Sequence, residues 1–109
     1  MQLFKKLSID SRADFRQISF DDSNLVIQAA EHGHGIAFER HSLVAGRIDA
    51  KALVRPMNIG LHSQYHYYLV SDASSNTNLA TKKVITWLEK ESREFVQQYH
   101  AELSQIHWL

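Results

Sequence analysis

The chain has 109 residues, 44% of them apolar and 22% charged, with 12 Lys+Arg against 12 Asp+Glu, 7 His, 1 Pro, 4 Gly and no Cys. That length holds one small domain, and the composition excludes a disordered, collagen-like or disulfide-built chain. A net charge of zero argues against gripping nucleic acid through its phosphates, which takes concentrated positive charge.

No apolar run approaches the roughly 20 residues that cross a bilayer, and the start MQLFKKLSID lacks the apolar core of a signal peptide. The expectation is a cytoplasmic protein with no membrane partner. Without cysteine there is no thiol chemistry and no Cys-ligated zinc.

In chain order, residues 2–7 place apolar side chains at 3, 4 and 7, which suits a short helical turn. After the polar stretch SIDSRAD, the run FRQISF at 15–20 reads as a strand bounded by polar clusters. DDSNLVIQAAEHG is the clearest helix: Asp22 or Ser23 caps it, Leu25, Val26, Ala29 and Ala30 form its apolar stripe, and Gly33 stops it. HGIAF then reads as a short buried strand. A short helix around Ser42 to Ala45 and a strand from Ala52 to Arg55, ended by Pro56, follow.

YHYYLVS, aromatic and β-branched, is a further expected strand. Beyond the loop SDASSNTN, with Thr77 and Asn78 as caps, the helical spacing of Val84, Trp87, Leu88, Phe95, Val96, Tyr99, Leu103 and Ile106 predicts a terminal helix of more than twenty residues. Glu89 and Arg93 would add an exposed four-residue ion pair. Alternating strands and helices define an α/β fold, and no repeat or low-complexity linker marks an internal boundary.

Four features stand in a distinctive order: FDDS at Phe20 to Ser23, AA-x-x-G-x-G-I-A at Ala29 to Ala37, LV-x-P at Leu53 to Pro56, and YYLV before a helix containing Trp87 and Leu88. In this order the chain resembles the C-terminal part of LysR-type transcriptional regulators, most closely the branch with the glycine-cleavage and β-lactamase regulators. The resemblance covers roughly residues 1 to 92. It implies an effector-binding domain of the periplasmic-binding-protein type, Rossmann-like, in which two α/β subdomains flank a cleft. Residues 1–71 would form the second-subdomain portion and the returning crossover strand, and 78–109 the C-terminal helix. The first subdomain and the winged-helix domain through which such a protein would touch DNA are not in this sequence, so the expected object is a truncated domain.

The same resemblance places Phe20, Asp22, Ser23 and Tyr67 at the cleft, facing a small-molecule effector such as an amino acid or small carboxylate. The helix start at Asp21 to Ser23 offers unpaired amides for an anion, but the same residues are ordinary caps, and two acidic side chains oppose an anionic ligand. Only one of Tyr67 and Tyr68 can face a cleft from a strand, and either is equally a core aromatic. Gly33 and Gly35 permit a tight turn; G-x-G without a third glycine is a weak phosphate signal.

His32, His34, His41, His62 and His66 raise a metal site, but no acidic ligand stands at familiar spacing, and surface histidines are the simpler account. Ser23 lacks a G-x-S-x-G elbow, so enzyme activity is not expected, nor is a cofactor. Without a sheet to cover them, Val84, Trp87, Leu88 and Phe95 would drive formation of a homodimer or domain-swapped oligomer. Two functions follow: an effector-binding regulatory domain, or an interaction module that pairs with itself or with a full-length regulator and binds no ligand.

Overall fold

The structure, a computed structural model, describes residues 2–10 and 16–109. Its elements are α1 (Gln2–Lys6), α2 (Ser23–Glu31), α3 (His41–Asp49), β1 (Ile59–Gly60), a 3-10 turn (Ser75–Thr77), α4 (Leu79–Leu103) and β2 (His107–Trp108). The chain divides into two compact units, Met1–Met57 and Asn58–Leu109.

The first unit is helical. Asp22 caps α2 by accepting the Asn24 backbone N–H at 2.7 Å. At the other end the His34 N–H donates to Ala29 O and the Gly33 N–H to Ala30 O, with Gly33 at φ +76°. This is a Schellman stop, in which a left-handed residue lets the chain reverse while satisfying the last carbonyls.

The same pair of bonds closes α1, from Ile9 to Phe4 and Ser8 to Lys5, and α3, from Ala52 to Arg47 and Lys51 to Ile48. There the left-handed position is held by Ser8 (φ 54°) and Lys51 (φ 62°). A side chain at such a φ costs about 1 kcal/mol relative to glycine. Lys51→Gly is therefore expected to raise the stability of the first unit by roughly 0.5–1 kcal/mol, readable as a higher urea midpoint; a lower midpoint would mean that Lys51 makes a contact worth more than the strain.

Each longer helix of this unit buries one residue, Ile27 in α2 and Ala45 in α3. The covered face of α2 runs through Ser23, Ile27, Ala30 and Glu31, the i, i+4, i+7, i+8 spacing of one helical side. Leu25 points away and is exposed, because two residues turn an α-helix by about 200°. Glu31 and Arg47 join α2 to α3 through a half-buried ion pair of 2.7 Å. Arg55 Nη2 lies 3.4 Å from His41 Nδ1.

In the second unit, the chain end runs parallel to β1, with Ile59 opposite His107 and Gly60 opposite Trp108. His107 donates its N–H to Asn58 O at 2.8 Å and Leu109 donates to Gly60 O at 2.9 Å. Gly60 is required by close approach: a Cβ there would stand 2.6 Å from the Trp108 ring and 2.9 Å from Ile106 Cγ2. His62 stacks on the other resource of this corner, the Trp108 indole, with centroids 4.5 Å apart.

The expected α/β, periplasmic-binding-protein-like (Rossmann-like) fold is not what this chain adopts. Among the described residues the one sheet is the two-stranded β1–β2 ladder. The expected strands at HGIAF, Ala52 to Arg55 and YHYYLVS are irregular, as are residues 16–20; Phe15 lies outside the described residues. The cause is physical: a strand is stable only when its N–H and C=O groups meet a neighbouring strand, and among the described residues none pairs with these runs. The short helix expected at Ser42 to Ala45 instead extends over His41–Asp49.

Candidate functional site

α4 is the largest element and the one whose surface carries the candidate site. Asn78 starts it, its Oδ1 accepting from the Ala80 N–H at 2.9 Å and the Thr81 N–H at 3.3 Å. Just upstream, Asp72 Oδ1 accepts from the Ser75 hydroxyl (2.6 Å), the Ser75 N–H (2.8 Å) and the Ser74 hydroxyl (2.9 Å). These bonds, the Ser75 hydroxyl first, hold the Asp72 carboxyl below its ordinary range. The turn they build is therefore at full strength above the ordinary carboxylate range and is lost as pH falls through the lowered value.

One side of α4 is covered within its own unit. Tyr99 is buried, Phe95 packs on it with ring centroids 4.7 Å apart, and Thr81, Ile85 and Leu103 are half-buried. Beyond this face, Val84, Trp87, Leu88 and Val96 expose 55%, 57%, 39% and 63% of their surface. The expected association set thus separates: Val84, Trp87 and Leu88 form an exposed patch, whereas Phe95 is committed to Tyr99. Ile106, expected on the helix, is buried beyond its end.

Two depressions mark the surface of α4, one lined by Leu79, Lys82, Lys83, Thr86, Trp87 and Lys90, the other by Ser92, Arg93, Val96 and Gln97. Both are open to solvent and formed by a single helix. Neither encloses a small molecule, since ligand sites gain affinity from concave walls that cover most of the ligand.

The residues expected at an effector cleft fall in different units. Phe20, Asp22 and Ser23 adjoin at the start of α2, with Phe20 exposed and Ser23 half-buried. The Asp22 carboxylate already occupies an amide at this helix start, so the cap is formed by the protein itself. Tyr67 belongs to the second unit, in an irregular run, and is 69% exposed; Tyr68 is more so.

His32 Nδ1 donates locally to Gln28 O (2.7 Å) and its ring lies 6.4 Å from that of His34. His66 meets the edge of Tyr68 at a centroid distance of 6.4 Å. Among the described residues no three His, Asp or Glu side chains gather as metal ligands would. None of the described helices is long and apolar enough to cross a membrane.

The corner of Gly60, His62 and Trp108 was not foreseen from sequence, because its partners are separated by almost half the chain. Beyond the Glu89–Arg93 pair, the charges along α4 follow a lengthwise order. Lys82 and Lys83 are the only charged residues before Glu89, and from there four glutamates stand against Lys90 and Arg93. Lys90 Nζ lies 3.7 Å from Glu94 Oε1, with both side chains more than half exposed.

No family model matches the chain, and no curated protein or solved structure matches it either.

Proposed function

We propose that this chain is an association module of a regulator of the LysR type, pairing through α4 rather than enclosing an effector. The regulator class rests on the motif run from Phe20 to Pro56 with Tyr67 to Val70 and Trp87–Leu88, and would place the chain in the cytoplasm. The role rests on one observation: Val84, Trp87 and Leu88 lie together on α4, exposed, where a water-facing helix surface is normally polar. Aromatic and aliphatic side chains clustered in this way are the usual centre of a protein contact.

Such a module modulates a regulator by changing which subunits pair. Its DNA reading would come from another chain, since its own charge sums to zero. Thermal melting at increasing protein concentration tests this reading. A partner that binds only the folded state raises the melting temperature with concentration, so a tenfold increase should shift it upward by a few degrees, while amino acids and small carboxylates leave it unchanged. A concentration-independent melt that rises with one such compound would overturn the proposal in favour of effector sensing.

A further inference from the structure

The run Tyr65–Val70 lies within residues 61–74, a stretch outside every helix and strand. Tyr65, Tyr67, Tyr68, Leu69 and Val70 are each more than half exposed. In an extended chain Tyr65, Tyr67 and Leu69 fall on one side and His66, Tyr68 and Val70 on the other, so both sides carry residues that favour a sheet. No Pro or Gly interrupts the run, and no Asp, Glu, Lys or Arg stands between Arg55 and Asp72.

The other exposed runs with strand-like residues lack this combination. Ile36 and Phe38 are exposed, but Gly33 and Gly35, both at positive φ, precede them and Glu39 and Arg40 follow. Ile18 and Phe20 stand between Arg16 and the pair Asp21–Asp22. Charges and glycines of this kind keep an exposed run from pairing with its like; Tyr65–Val70 has neither.

We propose that Tyr65–Val70 is a self-assembly strand whose partner is the same run in other copies of this chain. Identical strands laid side by side need no complementary charge, because each residue can meet its own kind. An uncharged six-residue run of high sheet propensity, free of Gly and Pro, is the sequence type that assembles in this way. Four residues on each side, up to about 13 Å when extended, set it off from β1 and from the 3-10 turn. That slack admits a neighbouring strand at about 4.8 Å. Two strands alone are marginally stable in water, so the product is a sheet that grows by adding copies, which separates it from the α4 contact.

Thioflavin T fluorescence of the full chain, with fibre diffraction of the product, tests the assignment. The unaltered protein should develop the dye signal after a lag and give a reflection at about 4.8 Å. Tyr68→Lys with Val70→Lys should lengthen the lag about tenfold or more, since like charges then meet along one side of the growing sheet. These are the two most exposed of the five side chains, so the melting temperature should stay within about 2 degrees. Val54→Lys with Met57→Lys adds the same charge at exposed positions outside the run and should change the lag less than about threefold. No dye signal from the unaltered chain, or an equal delay in both double variants, would overturn the assignment. The α4 contact, read by sedimentation, stands or falls separately.

Discussion

On the proposed association through α4, Trp87→Gln combined with Leu88→Gln should raise the dimer dissociation constant about 100-fold or more. Both side chains are exposed in the single chain, at 57% and 39%, so their loss leaves no cavity within the fold. Glutamine is a good helix former, and α4 should keep its helicity by circular dichroism. A buried interface tryptophan typically carries about 2 kcal/mol or more, and a leucine roughly 1.5–3 kcal/mol. Symmetry counts each of them twice, which makes the 100-fold figure a lower bound. Val96→Gln, on a different side of the helix, should change the constant less than about threefold. Equal effects at all three positions would indicate nonspecific stickiness of α4 in place of a defined contact.

Ile27→Ala should destabilise the first unit by about 2–4 kcal/mol, whereas Ile27→Val should cost only about 0.5–1.5 kcal/mol. Ile27 is 1% exposed and is the largest fully buried side chain among the described residues. Among the described residues Ala45 is the other buried apolar residue of this unit. A folded unit of this length holds on the order of 3–9 kcal/mol in total, so the loss is a large share of it. Amide hydrogen exchange in α2 and α3 measures the effect directly, because protection reports the free energy of opening. Unchanged protection in Ile27→Ala would mean that Ile27 is covered without supporting the unit.

What the sequence disclosed and what it withheld divide along the range of the interactions. Asp22, Gly33 and Asn78 were readable because a cap or a stop is made within four residues of itself, and the structure uses all three. The stops at Ser8 and Lys51 follow the same geometry but carry no glycine, so residue type gave no sign of them. In α2 the apolar residues Leu25, Val26 and Ile27 are consecutive and cannot share a face; of the expected stripe Val26, Ala29 and Ala30 are half-buried, whereas Leu25 is exposed and Ile27, outside that stripe, is the residue the helix buries.

The strands were misread for a different reason. YHYYLVS has strand-forming residues, yet β structure exists only where a second strand meets it, and propensity says nothing of whether one does. Conversely, Ile59–Gly60 and His107–Trp108 pair across the second unit with no local pattern to announce them. The resemblance to LysR-type regulators carried an expectation of neighbouring strands, and with it the α/β fold that the structure does not bear out. Of the candidate residues, Asp22 serves as a helix cap, Tyr67 stands exposed in an irregular run, and Val84, Trp87 and Leu88 are brought together on one helix.

The central claim is that exposed α4 side chains join two copies of this chain, and sedimentation equilibrium of the unaltered protein over a hundredfold concentration range tests it most directly. The account predicts a mass that climbs from the 12.6 kDa of one chain to a plateau at about twice that value. A mass fixed at that of one chain up to the highest concentration would contradict it.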